Sequence, residues 1–464
     1  MPVAIANPIS PTAYQIVSIS DLHFNPLYDP SLFPELVAND PSKWEEIFDK
    51  STVTAPSGGG TDTNYPLLKL TKGSMAQNMA NSPVVLFTGD LLGHNIPQNY
   101  CNLYLISTKQ PVDADAIKKC ITQQSTAIVQ FINNTFKFVA LEIQSAVGGN
   151  PVIYAPGNID TYSGAAGPDS AFLTANESTV YNLLLNHAAD SAFTTTFPRG
   201  GYYFSQLQRP GVLVIVLNSN SFVAGSPTYL DASEELDWLS QKLKSAKDKG
   251  QKVWILMHVP PGVNSQKMAQ LAAVPSDVDN AKDVSMMWDS GLQSKFMDAL
   301  QQYKDKGVVT LMLAGHTHMD EFRILPSGDV LEQLPGISPC FGNNPTYKLI
   351  TINPNTLTAT DYQSIDYNLA AMPEKFGTLY QFSSTYGFSP QNNLESSLTK
   401  LYSQLNSTES DRDIYTLLYT SGSESVNPKT YAPWNPINHV NWPLFGCTIG
   451  KAKDMEYVTC VSPH

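Results

Sequence analysis

The sequence predicts an α/β protein in which strands and intervening helices build an open or sandwiched sheet. Apolar residues make up 42% of the 464-residue chain and charged residues 15%, which suits one large core with an appended segment. Short β-rich apolar runs recur along the chain, and several end directly in a polar or glycine-containing turn. These runs are residues 14–20, 83–88, 151–155, 212–218, 252–258 and 308–314.

Three segments between the runs have the properties of helices. Residues 113–146 place apolar side chains near a period of 3.6. Residues 231–249 begin with an acidic cap and a glutamate-rich first turn and stop at Gly250, and residues 289–306 stop at Gly307 in the same way. Strands alternating with helices are typical of folds whose chemistry lies at the carboxyl ends of the strands.

Two further regions complete the expected organisation. Residues 29–64 are rich in Pro, Ser and Gly and are interpreted as a long surface insertion. After His318 the chain first shows β-hairpin patterns and then helical ones, before a cysteine-bounded tail. We therefore predict a main domain that carries the site at 1–368 and a small helical C-terminal subdomain at 369–464. The hairpin patterns occupy residues 321–325, 330–334, 347–352 and 358–364.

Charge and hydropathy exclude two classes of partner. The chain carries 41 acidic and 28 basic residues, a net charge of −13, with no basic cluster. A nucleic-acid polymer or an anionic membrane surface is therefore a poor partner. No apolar run reaches the roughly eighteen residues that predict a transmembrane helix. A small anionic substrate remains compatible, because bound divalent metals reverse the local sign of the field.

Cysteine usage bears on the compartment in which the protein works. Cys101 with Cys120 and Cys447 with Cys460 are local pairs that would each close a short loop, and five buried thiols are the alternative. Cys340 is left single and is expected to be a small core residue. The first ten residues lack the features of a signal peptide. We expect a secreted, periplasmic or lumenal protein whose leader is absent from this chain, with a cytoplasmic protein as the alternative.

Five short motifs supply the side chains of a two-metal centre. Asp21 and His23 alternate by two after the first run, so both side chains leave the strand end on one face. They are assigned to the first ion. Asp90 follows the second run and offers the carboxylate that two ions about 3.5–4 Å apart need as a bridge.

The remaining motifs complete the ligand set. Asn158 offers a neutral amide oxygen to the second ion, and His258 an imidazole from another strand end. His316 is assigned to the second ion and His318 to the first, and the small Gly315 lets their turn approach the metals closely. Each motif alone is more often a turn, a cap or a core histidine. Their joint occurrence in one order, each after a β-rich run, predicts the metal site.

This ordered set closely resembles the calcineurin-like metallophosphoesterase superfamily, and within it the acid sphingomyelinase-like phosphodiesterases. The similarity extends to residues 258–262 (HVPPG), 315–322 (GHTHMDEF) and 338–345 (SPCFGNNP), and to the tail at 447–460. It covers nearly the whole chain. The resemblance implies a metallophosphoesterase β-sandwich flanked by helices, a hydrolase of phosphoric esters with two divalent ions, and a Cys447–Cys460 disulfide.

The chain departs from the family pattern in three places. No saposin-like domain precedes Asp21, so we expect the device with which sphingomyelinase extracts lipid to be missing. Residues 62–66 are similar to a family segment that normally carries cysteine, and here it has none. The family's Gly-Asn-His reads Gly157-Asn158-Ile159, and isoleucine can neither stabilise the transition state nor protonate a leaving oxygen.

The resemblance predicts metal-assisted hydrolysis of phosphodiester or phosphoanhydride bonds. His94 matches the family's second active-site histidine and is the candidate general acid, a role worth about 10²–10⁴-fold in rate. The alternative is a hydrogen bond that orients a ligand. Ile159 favours substrates with good leaving groups, so a small phosphorylated substrate such as ATP or another nucleotide is the expected partner. Imidazole-rich ligands with carboxylates favour Zn²⁺, with Mn²⁺ or Fe as alternatives.

Three other functions stay open at this point. One is a phosphodiesterase acting on sphingomyelin or another phospholipid. Another is a catalytically weakened metal-binding or interaction protein, which the loss of the family histidine at Ile159 suggests. The third is a cyclic-nucleotide phosphodiesterase of the same superfamily, which the sphingomyelinase-like C-terminal third disfavours.

Overall fold

The computed structural model describes residues 13–164, 167–208, 211–226, 231–272, 275–423 and 437–462, which form two six-stranded sheets. In spatial order the first sheet contains β12 (Gly377–Gln381), β11 (Ala359–Asp366), β10 (Thr346–Ile352), β1 (Tyr14–Ile19), β2 (Val85–Phe87) and β3 (Val152–Tyr154). The second contains β4 (Tyr203–Gln206), β5 (Leu213–Val216), β6 (Val253–Leu256), β7 (Val309–Ala314), β9 (Val330–Gln333) and β8 (Glu321–Ile324).

Helices surround the sheets, and none in the described part of the chain is long and apolar enough to cross a bilayer. They are α1 (Phe33–Ala38), α2 (Trp44–Phe48), α3 (Tyr65–Asn78), α4 (Ile96–Ser107), α5 (Ala114–Gln123), α6 (Ser125–Val147), α7 (Ser170–Thr179), α8 (Phe193–Gly200), α9 (Ala232–Asp248), α10 (Ser265–Leu271), α11 (Ser290–Gln301), α12 (Phe382–Tyr386), α13 (Leu394–Ser407), α14 (Glu409–Tyr419), α15 (Trp442–Gly450) and α16 (Asp454–Val461).

The two sheets pack face to face. In the second sheet, Val214 and Trp254 share one apolar cluster with Ile16 of the first sheet. Ile215 and Ile255, which point to the opposite side because strand side chains alternate, belong to a separate cluster with α9 and α11. The expected α/β sandwich flanked by helices is therefore confirmed.

Parallel strands bring the ends of both sheets to one place. β1, β2 and β3 run parallel, and so do β5, β6, β7 and β9. The carboxyl ends of parallel strands lie at one edge of a sheet. The motifs that follow β1, β2, β3, β6 and β7 consequently meet at one end of the sandwich.

Two differences from the sequence expectation concern the long helix and the second sheet. The helix expected over 113–146 is two helices, α5 and α6, separated at Gln124. Apolar periodicity does not register this one-residue break. The strand β4 was not predicted.

The C-terminal segment is not purely helical. β12 pairs antiparallel with β11 and so extends the first sheet, and the helices begin only at Phe382. The expectation of a helical segment from 369 was wrong for this strand, because a short exposed edge strand has no strong apolar pattern. The division of the chain at 368 stays a prediction.

The segment 29–64 does more than cover the surface. It contains α1 and α2, and it buries Trp44 and Phe48 against Phe138 of α6, with ring centroids 5.6 and 5.3 Å apart. The Pro and Gly content of the segment predicted its loops, but it did not predict that Trp44 and Phe48 are buried in the core.

Both expected disulfides are present. Cys101–Cys120 joins α4 to α5, and Cys447–Cys460 joins α15 to α16. Cys340 is a free, half-buried thiol. The alternative of five buried thiols is therefore wrong.

Candidate metal centre

The seven side chains predicted as metal ligands converge at the common end of the two sheets. Asp90 lies between two groups of them: its Oδ2 is 3.4 Å from His23 Nε2 and 3.2 Å from His258 Nε2. This is the position that a bridging carboxylate needs. We call Asp21, His23 and His318 the first cluster, and Asn158, His258 and His316 the second cluster.

The first cluster brings acceptor atoms face to face. His23 Nε2 and His318 Nε2 are 3.1 Å apart, and His318 Nε2 is 3.3 Å from Asp21 Oδ1. The Nδ1 atoms of both imidazoles lie against carbonyl oxygens, those of Leu92 at 3.1 Å and Ser338 at 3.2 Å. When each Nδ1 donates to its carbonyl, both Nε2 atoms present lone pairs to one another. Such an arrangement fits a cation between them.

In the second cluster, acceptor atoms likewise face one another, here around an amide oxygen. Asn158 Oδ1 lies 2.9 Å from His258 Nε2 and 2.8 Å from His316 Nδ1. His258 Nδ1 lies 2.7 Å from the carbonyl of Thr88, which makes Nδ1 the donor and leaves Nε2 as an acceptor facing two oxygens. The donor set of this cluster therefore also fits a cation.

The pKa values of the four histidines in the clusters depend on burial and on the nearby carboxylates. Burial lowers the pKa of His23 and of His258, but the charge of Asp90, together with the other carboxylate charges and hydrogen bonds around each ring, outweighs burial and raises both to about 9. Burial lowers the pKa of His316 to about 4 and that of His318 to about 3. Protons on two imidazoles are one way to hold positive charge between these acceptors, and divalent ions are another.

The backbone at the predicted ligands adopts an uncommon conformation. Asp21, His23, Asp90, His316 and His318 have φ values of 50°, 43°, 58°, 75° and 64°. This left-handed region costs a residue other than glycine about 1–3 kcal/mol, and such residues concentrate at functional sites. Five of the seven predicted ligands therefore carry local strain that the surrounding fold maintains.

Two glycines permit the close approach of the loops. A Cβ atom at Gly157 would overlap the backbone nitrogen and Oδ1 of Asp90. A Cβ atom at Gly315 would overlap Ser20 Oγ and lie 2.8 Å from Asp21 Oδ2. The sequence predicted the role of Gly315 in bringing its turn close to the site.

Asp160 is a buried anchor for two of the loops. Its carboxylate accepts hydrogen bonds from four backbone N–H groups and from the hydroxyl of Tyr154, whose oxygen lies 2.6 Å away. Burial and the charge of Asp90 raise its pKa. The residue fixes the loop that carries Asp90. Its backbone donors, at 2.9–3.0 Å, are Asp90, Leu91, Leu92 and Gly157.

Ile159 still contributes through its backbone. Its N–H donates to Asp90 Oδ1 at 2.7 Å, while its side chain is buried, with 5% of the residue exposed. The hydrogen bond from position 159 to Asp90 therefore comes from the backbone and not from the side chain.

His94 lies at the edge of the first cluster and is held by a residue that the sequence did not single out. Asp62 accepts from the ring Nδ1 of His94 at 2.8 Å through Oδ1 and from its backbone N–H at 2.6 Å through Oδ2. The His94 ring stacks on His23 with centroids 4.2 Å apart, and its side chain is 30% exposed. Asp62 opens the segment 62–66, whose family resemblance was the one available signal.

The comparisons with known proteins agree with this geometry. Residues 14–320 match the calcineurin-like phosphoesterase family, and the chain belongs to that family. The family binds two divalent metal ions, and here candidate ligand groups lie within reach of common points. These groups include Asp21 with His23 and His318, and Asp21 with Asp90 and His258.

The curated relatives reported below are identical to this chain at about one aligned residue in four. The chain is 23% identical over 351 residues to sphingomyelinase phosphodiesterase C of Dictyostelium discoideum, covering 70% of this chain and 67% of that protein. It is 24% identical over 391 residues to cyclic GMP-AMP phosphodiesterase SMPDL3A of Homo sapiens, covering 79% and 72%. Sphingomyelin phosphodiesterase B of D. discoideum is 24% identical over 284 residues, or 56% of this chain, but the match spans only 39% of that protein's length.

Solved structures show more distant similarity. A dimetal phosphatase from Danio rerio superposes with a TM-score of 0.41 at 11% identity, over 79% of this chain and 98% of that one. A structure of PhoD gives a TM-score of 0.39 at 8% identity, over 81% and 70%.

Proposed function

We propose that the protein is a dinuclear metal-dependent phosphoesterase that hydrolyses phosphodiester or phosphoanhydride bonds of nucleotides. The observation that carries this proposal is the meeting of two acceptor clusters on either side of Asp90. One cluster alone would suit a structural ion. Two clusters that share a carboxylate suit the clamp that places one ion on each side of a phosphoryl group.

We assign the ligands of the proposed centre to the two ions as the sequence predicted. The first cluster holds one ion and the second cluster the other, with Asp90 common to both. Divalent ions bound there supply Lewis acidity at the phosphoryl group and a water of lowered pKa. Four imidazoles, two carboxylates and one amide favour Zn²⁺, with Mn²⁺ or Fe as alternatives.

His94 is the proposed proton donor to the leaving group. Because Asp62 accepts from Nδ1, the other ring nitrogen, Nε2, is the one available to substrate. The partial exposure of the ring allows contact with a bound ester. In this role Asp62 positions the imidazole and His94 transfers the proton.

Nucleotides are the proposed substrates because of Ile159. The apolar side chain supplies no second proton donor, so a leaving group that needs little protonation, such as a phosphate, is favoured over an aliphatic alkoxide. One relative is by name a cyclic GMP-AMP phosphodiesterase. Others are by name sphingomyelin phosphodiesterases, and they make sphingomyelin the second candidate substrate.

The test compares substrates on purified protein loaded with Zn²⁺. We expect kcat/KM for ATP or bis(p-nitrophenyl) phosphate to exceed that for sphingomyelin in mixed micelles. The Asp90→Asn variant is the inactive control, with its fold checked by circular dichroism. Faster cleavage of choline phospholipid would reject the nucleotide assignment. Absence of all turnover with metal bound would instead support a weakened binding protein.

We also infer a secreted, periplasmic or lumenal location. The two disulfides support it, because such bonds persist in oxidising compartments and are rare in the cytosol. Counting free thiols in protein purified from its natural source tests this inference. One free thiol per chain is expected, and five would favour the cytoplasmic alternative.

A further inference from the structure

The turn at residues 316–318 carries one predicted ligand for each ion. His316 belongs to the second cluster and His318 to the first, and Thr317 lies between them with none of its surface exposed. Both histidines have left-handed φ values, 75° and 64°. A strained backbone persists only where its surroundings hold it in place. Contacts that hold this turn therefore set the position of ligands on both sides of Asp90.

Side chains from two other elements bind the middle residue of the turn. Gln266, in the first turn of α10, places its Nε2 2.6 Å from the carbonyl oxygen of Thr317. A carbonyl oxygen can only accept, so the amide nitrogen of Gln266 is the donor. Gln333 of β9 donates from its Nε2 to Thr317 Oγ1 at 3.2 Å. The contact from Gln266 is the shorter of the two, and it acts directly on the peptide that joins Thr317 to His318.

Gln266 also links this turn to the loop that begins at His258. At one end of the loop, the carbonyl of His258 accepts from the Gly315 N–H at 2.9 Å. At the other end, α10 places Gln266 on the carbonyl of Thr317. The loop and the turn are therefore joined at two points. Three of the four predicted imidazole ligands lie on these two segments, namely His258, His316 and His318.

We propose that Gln266 is a positioning residue for the metal centre, which holds the carbonyl of Thr317 and so keeps one histidine of the turn facing each ion. The inference rests on the proposed function and adds a further residue to that centre. Outer partners of metal ligands typically contribute about 10–100-fold to metal affinity or activity. Because the turn supplies a ligand to each ion, Gln266 affects both ions and not one alone.

Two matched substitutions in α10 test this role. Gln266→Met keeps the length and the helix propensity of the side chain but removes its donor. Gln270→Met makes the same change at an exposed position one turn later in the same helix. Starting from metal-free protein, competition with a chromophoric zinc chelator measures the affinity for each Zn²⁺. We expect Gln266→Met to bind both ions about tenfold more weakly than wild type, and Gln270→Met to match wild type.

A spectroscopic measurement separates positioning from a general loss of stability. Two Mn²⁺ ions about 3.5–4 Å apart are close enough to couple magnetically, so protein saturated with Mn²⁺ should give the electron paramagnetic resonance signal of a pair. We expect this coupled signal to change in Gln266→Met and to persist in Gln270→Met, with circular dichroism unchanged in both. Equal Zn²⁺ affinities, weakening of one ion alone, or an unaltered coupled signal would overturn the proposal. A metal-free Gln266→Met protein that is unfolded would also overturn it, because the residue would then serve the fold and not the centre.

Failure of the proposed function gives a different result. Wild-type protein that binds two coupled ions but hydrolyses no phosphoric ester would refute the function alone, and the comparison of the two variants would still decide the role of Gln266. Wild-type protein that binds fewer than two ions would refute both, because no pair of ions would then be left for the turn to serve.

Discussion

The Asp62 carboxylate accepts two hydrogen bonds from His94, one from the ring Nδ1 at 2.8 Å and one from the backbone N–H at 2.6 Å. The two residues are 32 positions apart, and the contact fixes both the loop and the ring. It sets Nδ1 as the protonated nitrogen facing Asp62 and directs Nε2 elsewhere. Burial alone would raise the pKa of Asp62, but its bonds to His94 and the neighbouring imidazoles lower it.

Loss of this contact should slow turnover. In Asp62→Asn we expect kcat to fall about 10²-fold with a smaller change in KM, since the imidazole is then poorly oriented for proton transfer. The kcat of His94→Ala should fall at least as far, and the kcat of the double variant should fall no further than that of His94→Ala. Steady-state kinetics on an ester with a poor leaving group measure the effect. Asp49→Asn, at an exposed ion pair with Lys69, serves as control, and a wild-type kcat in Asp62→Asn would contradict the role.

Restoring the family histidine should accelerate the enzyme. Ile159 fixes Asp90 through its backbone N–H, so Ile159→His leaves that bond in place. We expect a rate gain of about 10²-fold on alkyl phosphodiesters and a smaller gain on p-nitrophenyl esters, which need little protonation. Ile159→Leu is the control. A histidine variant no faster than the leucine variant would show that position 159 does not limit the rate.

Metal content should follow the ligand division. Elemental analysis of protein purified without added metal should find two ions per chain, with zinc the main element. Asp90→Ala should lose both ions, because it faces both clusters, whereas His318→Ala should lose chiefly the first. A His318→Ala protein that keeps both ions would refute the assignment. Chelation should also lower Tm, since ions that bind only the folded state stabilise it.

Stability should fall as pH rises through the range set by Glu235. Burial raises the pKa of Glu235 from 4.5 to about 8, despite hydrogen bonds from Asn218 N and Ser221 Oγ. Between these pKa values the folded protein retains a proton that the unfolded chain has released, so the free energy of unfolding decreases with pH. Glu235→Gln, which does not titrate, should show a flatter Tm profile between these two pKa values. The exposed Glu234→Gln is the control, and parallel profiles would contradict the prediction.

The sequence alone determined the α/β class and the positions at which chemistry would appear. Alternating and helical apolar periods are local properties, so β1, β2, β3, β6 and β7 and the acidic or histidine motifs after them were readable without a structure. The disulfide partners were predicted as well, because each pair is close along the chain, although five buried thiols remained the alternative until the structure was available. That Asp21 and Asp90 lie together follows from the parallel strands β1 and β2 ending at one edge of the first sheet, whereas His318 reaches them from the second sheet. Their binding of metal stays a prediction.

The tertiary structure decided what depends on segments that are distant in sequence. Asp62 meets His94 across 32 positions of sequence, and the same 29–64 segment packs Trp44 and Phe48 into the core. β12 is a strand only because β11 offers an edge, and Gln124 breaks a helix whose apolar period continues on both sides. No local pattern encodes such contacts, since each arises from packing between elements and not from the preferences of the residues themselves.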